Sequence, residues 1–318
     1  MDRPVILTVA LNAALDVTYH LAGTATPHTT HRVARVREAA GGKALNTARI
    51  LHTLGEPVIA GGLVGGATGE TIVSLLPPGL RHRFHRIAGA SRRALVVADP
   101  VDATGFWEPG PDVTPAEWNA FCHRFTGLAK LASIVVLSGS LPPGLAVDAY
   151  AQLVRAASRA GATTIVDCDG EPLHAALAER PDIVKPNAVE LADAVGVDPS
   201  DLATVTDVVA AATTLRKAGA AAVVASRGPD GIVAVTDAGV WAAAPPRAIA
   251  GNPTGAGDAC VAGIARGVRH GRDWPGMLRD AVALSAASVL APIAGHVDVR
   301  DYLRLRHDIK PNTAPHTA

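Results

Sequence analysis

Short blocks of consecutive apolar residues recur along the chain, and between them apolar positions return every three to four residues. Blocks of the first kind suit strands buried on both faces, and the second spacing places one apolar stripe along a helix. The pattern predicts strands over residues 5–10, 58–64, 134–137, 163–167, 183–185 and 221–225. It predicts helices over 43–54, 68–76, 147–160, 171–179, 189–195 and 206–218. Gly55 closes the first of these helices, and Pro77 with Pro78 stops the second. Strands such as IVVL and AAVVA, joined by helices, imply an α/β fold with a mostly parallel sheet covered on both sides.

Two regions break this rhythm. Residues 14–37 and 84–110 alternate polar and apolar positions without a good helix, and are expected to form a small β lid. The α/β core is then assigned to 1–13, 38–83 and 111–310, with 311–318 (PNTAPHTA from residue 311) expected to be a disordered tail.

Composition narrows the classes. With 48% hydrophobic and 18% charged residues, 318 residues can bury a large core. Lys plus Arg and Asp plus Glu both number 29, a balance that argues against an extended nucleic-acid surface. Cys122, Cys168 and Cys260 lie far apart with no CxxC, as expected of reduced, structural cysteines in a cytoplasmic protein. The start MDRPVILTVALNAALD has neither the basic beginning nor the apolar run of a signal peptide, and no stretch is long and apolar enough to cross a bilayer.

Candidate chemistry sits in two Gly-rich helix entrances. In GNPTGAGDACVAGIARGV, residues 251–268, glycines permit close backbone approach before a helix with Val261, Ala262, Ile264, Ala265 and Val268 on its apolar side. Free amides and a positive dipole end make such a spot an anion site, although Asp258 could equally be a simple helix N-cap. In AAGGKALNTARILHTLG, residues 39–55, Lys43 and Asn46 lie three apart and project from one side of the first turn. They could hold a polyhydroxy or anionic ligand, or Lys43 could be a solvated side chain beside a turn.

Together the two stretches resemble the two signatures of the ribokinase/PfkB family of carbohydrate kinases. LTVALNAALDVTYHL, HRVARVREAAGGKALNTARIL, GGLVGGATGETI, EPGPDVTPAEW, LSGSLPPG, VKPNAVELADAVG and SRGPDGIVAV extend the resemblance over nearly the whole chain. They are similar to the 1-phosphofructokinase and tagatose-6-phosphate kinase subgroup. The resemblance implies a ribokinase-like, Rossmann-type three-layer core with a β lid that commonly supports a homodimer. It also implies an ATP- and Mg²⁺-dependent kinase in which Asp258 is the general base and the amides of Gly255, Ala256 and Gly257 form an anion hole.

Further roles are implied position by position. Asp16, Gly41, Gly42, Lys43 and Asn46 would line the sugar site, and Arg92 with Arg32 would meet a substrate phosphate. Lys185, Asn187, Ser226, Gly228 and Asn252 would serve the nucleotide, and Glu190 would act on the metal, chiefly through water. NxxE at 187–190 is on sequence grounds equally a helix cap. Ala13, Ala94, Asn252 and Pro253 depart from the common pattern, and the loss of the asparagine at Ala94 bears on the choice of sugar. The expected substrate is fructose 1-phosphate, fructose 6-phosphate or tagatose 6-phosphate. An unphosphorylated sugar or a nucleoside is the nearest alternative, and the 3% aromatic content disfavours a stacked nucleoside. A dinucleotide enzyme would need GxGxxG after the first strand, where LNAALD has no glycine, and no GxxxxGK[ST] is present. A catalytically dead sugar-phosphate sensor is disfavoured because Asp258 and the GAG turn are both retained.

Overall fold

The structure, a computed structural model, describes residues 4–314. The first three positions of the expected core and the last four of the expected tail lie outside the described residues. The strands are β1 (Val5–Ala10), β2 (Ala14–Leu21), β3 (Val33–Gly41), β4 (Val58–Gly65), β5 (Arg81–Ile87), β6 (Arg92–Ala98) and β7 (Ala103–Trp107). They continue with β8 (Ala132–Ser138), β9 (Thr163–Asp167), β10 (Ile183–Val184), β11 (Ala222–Ser226), β12 (Ile232–Thr236), β13 (Gly239–Ala243) and β14 (Asn312–Thr313). The helices are α1 (Lys43–Thr53), α2 (Gly66–Ser74), α3 (Pro115–Ala129), α4 (Ala149–Arg159) and α5 (Gly170–Leu177). They continue with α6 (Ala188–Val195), α7 (Val205–Ala218), α8 (Ala256–Arg269), α9 (Trp274–Leu290) and α10 (Val299–Asp308).

Ten strands form the main sheet in the order β14-β13-β12-β11-β10-β9-β8-β1-β4-β5. The seven from β11 to β5 run parallel, and β12, β13 and β14 add antiparallel edges. Alternation along β1 divides the core: Ile6 and Ala10 pack with α1, α2, α8, α9 and α10, while Val5, Leu7 and Val9 pack with α3 to α7. This is the helix–sheet–helix sandwich that continuous apolar strands require. Several helices start where their caps dictate. Thr114 with Glu117, Asn187 with Glu190, and Thr204 with Asp207 form capping boxes for α3, α6 and α7.

The lid is a separate four-stranded sheet in the order β3-β2-β6-β7. Its inner row is continuous with the core through Leu15 and Val17, which are buried in the α1–α8 cluster. Two expectations need correction. Residues 84–87 belong to β5, which pairs in parallel with β4 in the main sheet rather than in the lid. Phe84 and Ile87 are buried there, and exposed Arg81, His82, Arg83 and Arg86 mark an edge strand whose other side meets solvent. The expected disordered tail instead begins as β14, with Asn312 and Thr313 paired to Ala242 and Trp241.

Candidate active site

β1 lies between β4 and β8, the point in the sheet where successive connections diverge, and a crevice beyond such strand ends is where α/β folds hold ligands. Here the N-termini of α1 and α8 converge with the lid around a cavity of about 780 Å³. Both helices begin on a glycine with positive φ, Gly42 at 101° and Gly255 at 88°. Any Cβ at Gly255 would also press on Ala294, at 3.0 Å. The tight turn therefore needs glycine twice over.

Asp258 is not the N-cap; that place is taken by Gly255, and Asp258 lies in the first turn of α8. Its side chain crosses to α1, where Asn46 Nδ2 donates to Oδ2 at 2.9 Å, and Thr47 Oγ1 donates to its backbone carbonyl at 3.2 Å. Burial pushes the Asp258 carboxyl up to about 7, helped by the nearby Asp167 and opposed by Asn46, Lys43 and Lys185. A carboxylate poised near neutrality at the mouth of a cleft is suited to exchange a proton with a ligand. The Ala256 amide already donates to the Pro253 carbonyl at 3.1 Å. The first-turn amides of Gly257 and Asp258 have no acceptor within their helix by geometry, and the positive dipole end there favours an anion. Lys185 Nζ stands beside Gly257, 3.6 Å from where a Cβ would be.

Behind this point lies a charge cluster centred on Asp167, at the C-terminal end of β9, a residue that sequence reasoning places only as a strand end. Asp167 Oδ1 meets Lys43 Nζ at 3.4 Å and Lys185 Nζ at 3.5 Å, and Oδ2 accepts from Ser138 Oγ at 3.0 Å. Burial alone would push the Asp167 carboxyl up, but Lys185, Lys43 and Ser138 outweigh it and hold the group below its usual range. Lys43 also pairs with Glu190 Oε1 at 3.2 Å, and its ammonium is held charged against the cost of burial by Asp167 and Glu190. Lys185 is almost wholly buried in the same cluster, so any ligand phosphate reaches it only from within the cleft.

On the lid side, Asp16 rests against Gly41. A Cβ at Gly41 would lie 2.0 Å from the Asp16 Cγ, so only glycine leaves room for the carboxylate. Burial raises the Asp16 carboxyl to about 6, opposed by Arg92 and Arg49. Arg49, missed in the sequence, is fixed by the carbonyls of Ala40 at 3.1 Å and Ala294 at 3.3 Å. Arg92 Nε donates to the Asn12 carbonyl at 3.2 Å. Arg92 and Lys43 also line a side cavity of about 160 Å³ with Asn12, Ser140 and Asp169. Asn12 Nδ2 donates to Ser140 Oγ at 3.1 Å and to the Pro109 carbonyl at 2.9 Å, fixing that wall. Arg32 is exposed in the β2–β3 connection and is not among the described residues lining either cavity.

On the opposite side, Asn187 and Ser226 form an isolated parallel bridge that brings the α6 cap against the end of β11. Gly228, Pro229, Ile232, Ile249 and Val289 continue the wall there, giving a largely apolar surface next to the polar centre. Asn252 is not among the lining residues; its Oδ1 accepts from the Thr254 amide at 3.0 Å and shapes the turn before Gly255. Among the described residues no group of three or more His, Cys, Asp or Glu could hold a metal alone. Glu190 has both oxygens engaged, Oε2 accepting from the Asn187 amide at 2.8 Å and Oε1 from Lys43. That donor set fits a Mg²⁺ held mainly by water and by ligand phosphates, with Glu190 acting through water.

Comparison with known proteins places the chain in a family. The profile of the pfkB family carbohydrate kinases matches residues 9–298. Phosphofructokinase-2 from Escherichia coli, in complex with potassium, is 30% identical, with a TM-score of 0.88 over 96% of this chain and 99% of its own. A Thermotoga maritima protein named as a possible 1-phosphofructokinase is 26% identical, with a TM-score of 0.85 over 98% of this chain and 100% of its own. Arabidopsis thaliana ribokinase, complexed with ribose and ATP, shares the fold at 22% identity, with a TM-score of 0.75 over 96% of this chain and 99% of its own. Among the described residues no helix is long and apolar enough to cross a membrane.

Proposed function

The chain belongs to the pfkB family of carbohydrate kinases and is an ATP-dependent sugar kinase; from this premise we propose that its acceptor is a hexose already carrying a phosphate. The observation that carries the reading is the side cavity beside Asp16. Arg92 and Lys43 line it with one carboxylate, Asp169, in a space of about 160 Å³ that suits a phosphate group; Lys43 is shared with Asp167 and Glu190, so Arg92 is the cation that supports the reading. Fructose 6-phosphate, fructose 1-phosphate and tagatose 6-phosphate all fit this description. Escherichia coli phosphofructokinase-2 is known in complex with fructose-6-phosphate.

In this reading Asp16 accepts hydrogen bonds from sugar hydroxyls, and its neighbours orient the acceptor hydroxyl toward Asp258. Asp258 takes the hydroxyl proton as the oxygen attacks the γ-phosphorus of ATP, and ADP leaves. The free first-turn amides of α8 and the Lys185 ammonium stabilise charge spreading over the transferred group. Mg²⁺ supplies further neutralisation of the phosphates when bound. Glu190 positions its water shell, while Asn187 and Ser226 hold the nucleotide-side turn. Gly228 leaves the nucleotide room to lie across that turn.

The exposed lid residues Val33, Val36 and Phe106 support a homodimer formed through the lid. Light scattering should then give about twice the 32.4 kDa chain mass; the monomer mass at micromolar concentration would remove the lid contact. Three free cysteines suit a cytoplasmic enzyme.

The substrate reading is tested by ADP release over a panel of free and phosphorylated sugars. The phosphohexoses should turn over and free fructose or ribose should not. Arg92→Ala should raise the phosphosugar KM at least tenfold while leaving the ATP KM near wild type. Turnover of free sugars only, or an unchanged phosphosugar KM in Arg92→Ala, would end the phosphate assignment.

A further inference from the structure

A row of three lid residues crosses from Asp16 to the edge of the molecule. Asp16 pairs with Ala94, and Ala94 pairs with Trp107. Directly paired residues present their side chains to one face of a sheet, and here all three line the main cavity. Two interstrand spacings put the Asp16 and Trp107 backbones about 9.6 Å apart. Between them Ala94 contributes a single buried methyl. The result is a slot with a carboxylate on one side, an indole on the other and a methyl floor.

The indole is unusual in its surroundings. Trp107 is 69% exposed, although it lines a ligand cavity. The other three tryptophans are engaged within the protein: Trp118 is buried and donates to Gln152 Oε1 at 3.1 Å, and Trp241 and Trp274 stack with centroids 6.2 Å apart. The Trp107 ring lies back along its own strand over Gly105, where an added Cβ would meet it at 2.7 Å. Gly105 does not have positive φ, so what its missing side chain provides is room for the ring. The ring thus packs against Gly105 while most of its surface stays exposed beside the cleft.

We propose that Trp107 is the platform on which the acceptor sugar rests, its indole against the C–H face of the ring, with Ala94 setting the slot width. The ligand class is a furanose or pyranose whose hydroxyls turn toward Asp16 and whose apolar face turns toward the indole. Trp107 is a specificity-determining residue for the acceptor and takes no part in the proton or phosphoryl transfer. This rests on the assignment of the Asp16 side of the cavity to the acceptor sugar.

The test separates acceptor from nucleotide kinetics. With fructose 6-phosphate as acceptor, Trp107→Ala should raise the acceptor KM about tenfold, with kcat and the ATP KM within twofold of wild type. Gly105→Ala, which displaces the ring while keeping it, should raise the acceptor KM in the same direction. Trp107→Phe should recover most of the loss. Titrating fructose 6-phosphate without ATP should change tryptophan emission in wild type and not in Trp107→Phe. An acceptor KM unchanged in Trp107→Ala, or a rise in both KM values alike, would overturn the platform. If wild type turns over only another sugar, the phosphate reading falls, and the same KM comparison on that sugar still decides the role of Trp107.

Discussion

In the proposed mechanism Asp258 serves both the fold and the chemistry. It is buried in the first turn of α8 and tied to α1 through Asn46, and burial holds its carboxyl near 7. As the proposed base Asp258 must be ionised, so kcat/KM should rise with pH through about 7 and level off above it. A flat profile between pH 6 and pH 8 would contradict that state assignment. The stability sign follows from linkage. The folded value lies above the unfolded carboxyl value of about 4. The native state therefore holds the proton more tightly between these values, and this group's contribution is full below about pH 4 and is lost as pH rises toward 7. Asp258→Asn should accordingly raise the melting temperature relative to wild type at pH 8 and not at pH 4, measured by calorimetry without ligands.

At the scale of elements, the site is a clamp made by β9, α1 and α6. Asp167 at the end of β9 binds Lys43 of α1 and the buried Lys185, and Lys43 in turn reaches Glu190 of α6. Removing one partner strands buried charge. Asp167→Asn should cost about 3–5 kcal/mol of stability in urea denaturation, far more than a surface pair. A change below about 1 kcal/mol would mean that the lysines are neutralised by another route. Lys43, Lys185 and Glu190 each stand out in the sequence, but Asp167, which joins them, does not, because the Asp167–Lys43 pair spans 124 positions and Asp167 stands in no local pattern. By contrast Lys43 and Asn46 share one face of α1 as their spacing requires, and the Gly42 and Gly255 turns stand where the Gly-rich runs placed them. The helices α3 and α9 were passed over although Thr114 with Glu117 and Asp273 before Pro275 announce their caps. In α9 ten buried positions spread around the helix blur its periodicity. Residues 84–87 of β5 read as lid because an edge strand of the core alternates polar and apolar residues just as a lid strand does.

Across the whole molecule, the alternation of strands and helices sets the three layers, and the lid closes the cleft between the α1 and α8 N-termini. The roles expected of Asp16, Gly41, Lys43, Asn46 and Arg92 concern residues that the fold brings to one side of that cleft, while Arg32 lies outside it. The sequence marks the lid only as two β-type regions, and its four strands and their order β3-β2-β6-β7 depend on contacts distant in the chain. In the proposed mechanism the layers meet at a single transfer point, Asp258, where acceptor hydroxyl and nucleotide phosphate would be brought together. The most direct test is single-turnover phosphoryl transfer by Asp258→Asn at pH 8, with ATP and the phosphohexose that wild type turns over. The account predicts a loss of about 10²–10⁴ in the transfer rate with ATP affinity within twofold of wild type. A transfer rate near wild type would contradict it.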